Sequence, residues 1–271
     1  MYKLVAIDVD GTLFNDRKEI TKEVNEAIQS AKAKGVKVVV CTGRPIVGAQ
    51  PIIEELKLTD ENEYVITFNG ALVQNTHTNE VISEISLSYQ DLKVLYELSL
   101  KLDSPMHFFD SKNVYTPNKD ISRYTVYESH INQIPLHYRT IEEIPEDFLI
   151  PKVMFIDEPE RLNKIIANIP VSFKEKYTMV KSAPYFLEIL HPSVSKGNAV
   201  KQLAEKLSIK REEVICIGDG DNDLSMVEYA GCGVAMGNAV PSVKKVAEFQ
   251  TFSNNENGVA NAIEKLILNK K

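Results

Sequence analysis

The stretch Asp8-Val9-Asp10-Gly11-Thr12-Leu13 holds two carboxylates two positions apart, directly after the apolar run Leu4-Val5-Ala6-Ile7. Residues two apart in an extended chain point to one side, so Asp8 and Asp10 are expected to share one small volume. Carboxylates that close repel each other unless a cation or a proton intervenes. The pair asks for a metal ion, for one acid held protonated, or for both in one mechanism. Asp and Gly also turn the chain after any strand, so the stretch alone is equally compatible with a plain loop.

A second acidic stretch, Gly218-Asp219-Gly220-Asp221-Asn222-Asp223, follows the apolar run Val214 to Ile217. It begins like a calcium loop, but the sixth place is Leu224 and the twelfth Ala230, where that loop needs Gly and a bidentate Glu. It also begins like a dinucleotide fingerprint, yet it lacks the third Gly and brings three negative charges to where a pyrophosphate would lie. Few carboxylates with room for water and a substrate phosphate suit Mg²⁺ better than Ca²⁺. Between these stretches lie two cationic or hydroxylic candidates. Thr42-Gly43 could meet an anion with a hydroxyl and backbone N–H groups, or simply cap the helix expected over Ile46 to Leu56. Lys196 falls in the first turn of an expected helix, where it opposes the helix dipole unless an anion is near. A solvated surface lysine is the alternative.

These residues need a scaffold that brings strand ends together. Leu4–Ile7, Val36–Val40 and Val214–Ile217 are short continuous apolar runs bounded by turn residues, the pattern of buried parallel strands. Thr21 caps a helix with Val24, Ala27, Ile28 and Ala31 at helical spacing, and Gly35 ends it. A right-handed βαβ connection then places the ends of the first two strands on one sheet edge, where ligands of open α/β sheets gather. Tyr64 to Phe68 reads as a third strand, and Asn69-Gly70 as a hairpin signal before Ala71 to Val73. From about Ile82 the pattern changes to helix, two strands, an aperiodic middle over Tyr124 to Pro151, helix, two strands. That α+β order marks a separate inserted domain. The βαβ alternation returns near Ser195, with Ala199, Val200, Leu203 and Leu207 on the inner face of a helix.

Composition narrows the class. The 271 residues are 44% apolar and 25% charged, ordinary for a folded chain of one large or two unequal domains. A net charge of −7 and the absence of Lys/Arg runs outside the extreme C-terminus argue against nucleic acid as a partner. No apolar stretch reaches transmembrane length, and acidic residues come too early for a signal peptide, so a cytoplasmic protein is expected. Cys41, Cys216 and Cys232 sit in apolar or Gly-rich settings that read as buried reduced thiols.

Asp8-Val9-Asp10-Gly11-Thr12, Thr42-Gly43-Arg44, Lys196-Gly197 and Gly218-Asp219 with Asn222-Asp223, in this order, resemble the four motifs of the haloacid dehalogenase-like hydrolase superfamily. The insertion resembles the type IIB cap, and Met236-Gly237-Asn238-Ala239 is similar to the Cof-type branch of sugar-phosphate phosphatases. The resemblance implies a Rossmann-like doubly wound parallel sheet core, residues 1–82 and 191–271, and an inserted α+β cap, residues 83–190, that sets specificity. It implies that Asp8 attacks phosphorus and that Asp10 serves as acid and then base. Thr42, the Gly43 amide, Lys196 and Asn222 would hold the phosphate. Asp8, the Asp10 carbonyl, Asp219 and Asp223 would bind or orient Mg²⁺, while Asp221 receives no role. The substrate would be a small phosphorylated metabolite, a sugar phosphate or a phosphorylated cofactor. In the cap His107, Phe108, Tyr115 and Tyr185 are candidate contacts, each equally readable as core or surface. A phosphomutase, a receiver-like phosphoacceptor and an idle binding protein remain as alternatives, and the oligomeric state is open.

Overall fold

The computed structural model describes residues 1–269. They form two units, one of Met1–Thr42, Pro51–Ser83 and Ser195 onward, the other of Gly43–Gln50 and Glu84–Val194. The first begins with β1 (Leu4–Ile7), α1 (Lys22–Ala33) and β2 (Lys37–Cys41). Next come α2 (Ile46–Glu55), β3 (Tyr64–Thr67), β4 (Leu72–Asn75) and β5 (Val81–Glu84). Thr21 caps α1 by accepting from the Val24 amide, and Gly35 follows it at φ +81°. All four β1 residues are essentially inaccessible, and fully burying each of its larger side chains is worth about 1.5–3 kcal/mol. Chains this apolar on both faces fit only the middle of a sheet.

The hairpin signal Asn69-Gly70 does join two antiparallel strands, β3 and β4, but not as a two-residue turn. Phe68, Asn69 and Gly70 all take positive φ in a short 3₁₀ turn. Phe68 is fully buried, so its apolar anchor offsets the left-handed backbone.

The inserted unit runs α3 (Tyr89–Lys101), β6 (Met106–Phe109), β7 (Val114–Thr116), α4 (Arg123–Asn132), β8 (Leu136–Tyr138) and β9 (Val153–Ile156). It ends with α5 (Pro159–Asn168), α6 (Val171–Lys176), β10 (Thr178–Ala183) and β11 (Phe186–Leu190). Its six strands order as β10-β11-β9-β6-β7-β8. One sheet face is apolar: Met106, Phe108, Val153, Phe155, Leu187 and Ile189 pack in a core with Leu92, Leu95, Leu162 and Ile165. The alternating residues His107, Met154 and Glu188 are buried too, and they meet polar partners instead. His107 lies 3.1 Å from Thr125 of α4, and Lys152 pairs with Glu188 at 3.4 Å and with Glu128 of α4 at 3.8 Å. Burial, aided by Lys152, pushes His107 down to about 3, so it is neutral. Thus α4 buries Thr125, Glu128 and Asn132 and exposes Val126, Tyr127 and Ile131. That inverted pattern is why the middle of the insertion shows no helical period in the sequence.

The segment 43–50, which the sequence reading assigned to the first domain, belongs to this second unit. Lys152 Nζ donates to the Gly43 carbonyl at 3.3 Å, and a Cβ on Gly48 would come within 2.4 Å of the Asn132 side chain.

The chain re-enters the first unit through α7 (Lys196–Lys206), β12 (Val214–Gly218), α8 (Leu224–Tyr229) and β13 (Cys232–Ala235). It finishes with α9 (Pro241–Val246), β14 (Phe249–Gln250), α10 (Gly258–Ile263) and a π-helical turn, Glu264–Leu268. The eight-stranded order is β14-β13-β12-β1-β2-β3-β4-β5, with every pair from β14 to β3 parallel. From β1 the chain winds outward through β2 and β3, then returns to β12 on the other side. The expected doubly wound parallel α/β sheet is what forms, and its switch point lies between β1 and β12. Cys41, Cys216 and Cys232 are buried and none is in a disulfide, and no described helix is long and apolar enough to cross a membrane.

Candidate active site

The loops after β1 and β12 leave the sheet side by side at that switch point. Asp8 continues the ladder, its amide donating to the Ile217 carbonyl at 3.0 Å, and its side chain is buried. Beyond it the chain does not stay extended. The Leu13 amide turns back to the Asp8 carbonyl and the Phe14 amide to that of Val9. Where the two-residue spacing assumed an extended chain, a tight turn closes from Val9 to Phe14; the Asp10 charge still acts on Asp219. The Asp10 carboxylate is half exposed and pairs with Lys18 Nζ at 2.8 Å.

Asp8, Asp219 and Asp223 converge, each offering an oxygen within 4.8 Å of the others. Lys196, the first residue of α7, is wholly buried among them, its Nζ 2.5 Å from Asp8 and 2.6 Å from Asp223. The surface-lysine alternative is excluded, and the anion that its helix position asks for is supplied twice over. The second oxygen of Asp223 accepts from the Asp219 and Gly220 amides at 2.9 and 3.0 Å, so this carboxylate holds its own loop in shape. Asp219 is held by Thr12 Oγ1 at 2.9 Å. Gly11, at φ +91°, passes so near that a Cβ there would fall 2.4 Å from Asp219 Oδ2, which no side chain allows.

Three carboxylates thus face one buried ammonium. Burial first, then the neighbouring Asp223 charge, raises the Asp8 carboxyl well above its usual range, with Lys196 opposing. The same two causes push Asp219 up to about 6. Lys196 stays charged, because Asp223 and Asp8 outweigh the burial that would neutralise it. The cluster carries more negative charge than its protein partners balance. Hard oxygen donors with such an excess match a small divalent cation.

The other expected residues occupy defined places. Thr42 is buried beyond the end of β2, its amide donating to Ile66 O and its carbonyl accepting from the Asn69 amide. Gly43, the next residue, groups with the second unit. Asn222 donates to the Asn69 side chain at 3.1 Å. Asp221 accepts from Ser242 and stands apart from the carboxylate trio. In the second unit His107 and Phe108 are fully buried. Tyr115 stacks on Phe108 and donates to Asp110, and Tyr185 stacks on Tyr124 at 4.6 Å between centroids. The sequence reading missed Thr12, Lys18, Asn69 and Asn238. Thr12 and Asn238 lie inside the motif stretches, and Asn69 inside the hairpin signal Asn69-Gly70, which points to a turn and not to a site.

A family model described as haloacid dehalogenase-like hydrolase matches residues 5–263. Among curated proteins, YxeH of Bacillus subtilis, provisionally named a phosphatase, is 64% identical over 270 residues, covering all of both chains. The 5-amino-6-(5-phospho-D-ribitylamino)uracil phosphatase YcsE of the same organism is 31% identical, over 98% of this chain and 96% of its own. Among solved structures, a haloacid dehalogenase-like hydrolase from Bacteroides thetaiotaomicron superposes with a TM-score of 0.87 at 32% identity, over 98% of this chain and 100% of its own. The subclass IIB sugar phosphatase BT4131 gives 0.79 at 26%, over 97% and 98%.

Proposed function

The chain belongs to the haloacid dehalogenase-like hydrolases, Cof-type, and is a phosphatase; from that premise we propose that it is Mg²⁺-dependent and hydrolyses small phosphorylated metabolites through an aspartyl phosphate on Asp8. The carrying observation is the trio Asp8, Asp219 and Asp223, the first and last buried and Asp219 half-buried, around the Lys196 ammonium at the sheet's switch point. The donor set fits Mg²⁺, which Asp8, Asp219 and the Asp10 carbonyl would hold and Asp223 would orient. When bound, it supplies countercharge to the nucleophile and to the phosphoryl oxygens.

Asp8 attacks phosphorus while Asp10 gives its proton to the departing alkoxide, so the alcohol leaves and the phosphoryl group stays on Asp8. Asp10 then takes a proton from water, whose oxygen attacks phosphorus, releasing inorganic phosphate and restoring the Asp8 carboxylate. Thr42, the Gly43 amide, Lys196 and Asn222 bind the phosphoryl oxygens, and countering charge there is the largest usual source of rate. Residues 83–190 act as a cap that chooses the leaving alcohol and keeps stray water from the intermediate. The names of the relatives support two alcohol classes, sugars and the ribityl chain of a ribitylaminouracil. Three buried cysteines outside any disulfide suit a reducing compartment and support a cytoplasmic location.

The test is phosphate release from sugar phosphates, ribityl phosphates and cofactor phosphates, with Mg²⁺ or chelator, by the native chain and Asp8→Asn. Metal-dependent turnover lost in the variant supports the reading. Turnover that survives in Asp8→Asn, or in chelator, overturns it.

A further inference from the structure

Met236-Gly237-Asn238-Ala239 stands out in the sequence, yet no step of the proposed reaction uses it. The structure places it immediately beyond β13, next to the loop after β12, because Gly218 pairs with Ala235. The Met236 amide donates to Gly218 O and the Val240 amide to Asp219 O, so the two loops leave the sheet as one layer. Gly237 lies so near the Phe252–Ser253 backbone that a Cβ would fall 2.7 Å from the Ser253 nitrogen.

Asn238 uses its side chain in three directions. Its Oδ1 accepts from the Asn254 backbone amide at 3.0 Å. That contact fixes which end of the amide is which, since a backbone N–H needs an oxygen. Nδ2 therefore faces the other way, donating to the Gly11 carbonyl at 2.8 Å and to Asp219 Oδ2 at 3.3 Å. The other Asp219 oxygen is held by Thr12. One carboxylate is thus gripped by a donor from each of two loops. The far side is anchored as well: Asn254 Nδ2 donates to Phe14 O and to the Asp16 carboxylate, both at 3.1 Å.

We propose that Asn238 is a positioning residue of the cation site: its amide nitrogen ties the Gly11 carbonyl to Asp219 and aims that carboxylate at the cluster with Asp8 and Asp223. The proposal rests on the reading that these carboxylates capture Mg²⁺. Groups that hold a metal ligand in place typically govern affinity about 10- to 100-fold. Asn is suited to the post because it gives a donor without adding charge beside an already crowded set of carboxylates.

The test needs no turnover. Mg²⁺ and, separately, Mn²⁺ are titrated by calorimetry into the full metal-free chain, its Asn238→Ala variant and a control, Ser242→Ala, which removes a hydroxyl that bonds Asp221 from the same segment. The expected result is a Kd raised about tenfold or more in Asn238→Ala and unchanged in Ser242→Ala. Equal affinity in the native chain and Asn238→Ala overturns the proposal, as does an equal loss in the control, which would make the effect a general loosening of the segment. No binding by the native chain overturns the cation site itself, a separate failure. Should Asn238→Ala not fold, Asn238→Gln carries the same test, since it keeps both amide groups on a stem one methylene longer. Native affinity there overturns the proposal, and weakened affinity supports it.

Discussion

The molecule contains two buried charge clusters, and they are balanced differently. In the first unit Asp8, Asp219 and Asp223 meet one cation among the described residues, Lys196. In the second, Glu128 and Glu188 face Lys152, and the Arg44 charge also acts on Glu128. Two carboxylates and two cations close an account that three and one leave open. The first cluster hangs on loops at strand ends, where carboxylates can converge on a guest. The second spans a sheet face and a helix, and its contacts of 3.4 and 3.8 Å are longer than those of Lys196. Buried charge alone does not mark a ligand site, but buried charge without its counterpart does.

The largest effect expected from this contrast is on turnover. Asp8→Asn lowers phosphate release about 10⁴-fold or more, because the nucleophile is gone while the shape remains. Lys152→Met, by contrast, leaves measurable turnover in the same assay. Stability gives a second test. Lys196→Met and Lys152→Met each strand buried carboxylates and should each cost about 3–5 kcal/mol in chelator, read from urea unfolding. Mg²⁺ should restore much of the loss in Lys196→Met and none in Lys152→Met. Equal rescue would erase the distinction between the clusters.

Acid should move the two units in opposite directions. Asp219 is raised from 3.8 to about 6 in the metal-free fold, so its contribution is present below about 4 and is lost as pH rises through 6. Mg²⁺ takes the ionised carboxylate, and the rise in Tm that it produces should be larger at pH 7 than at pH 5. His107 is lowered from 6.5 to about 3, so its contribution is full above 6.5 and is lost as pH falls toward 3. His107→Leu should flatten that acid loss, with or without Mg²⁺, in the same melts. The smallest effect is expected for Glu128→Gln. Lys152 keeps Glu188, its closer partner, so the amide of the same shape should change unfolding free energy by about 1 kcal/mol.

The first cluster was legible in the sequence because its residues follow apolar runs that can only be central strands, and strand ends are where chemistry collects. The second was not. Its helix α4 turns Thr125, Glu128 and Asn132 inward and Val126, Tyr127 and Ile131 outward, so hydrophobic periodicity points the wrong way. Lys196 illustrates a related limit, since its helix position signalled a nearby anion but could not say that two carboxylates 188 and 27 residues away would supply it. Asp10 shows how local geometry intervenes, for a turn from Val9 to Phe14 follows Asp8 where an extended chain was expected, and the Asp10 charge nevertheless acts on Asp219.

The central place of β1 between β2 and β12 also sets a clock on birth. Lys196 follows Asp8 by 188 residues, and at about 5–20 residues per second a ribosome needs roughly 10–40 s to make that span. Throughout that interval the nascent chain carries Asp8 without Lys196, Asp219 or Asp223. The carboxylate cluster is therefore complete only once Asp223 has been made, and its assembly is a late event in the life of the chain.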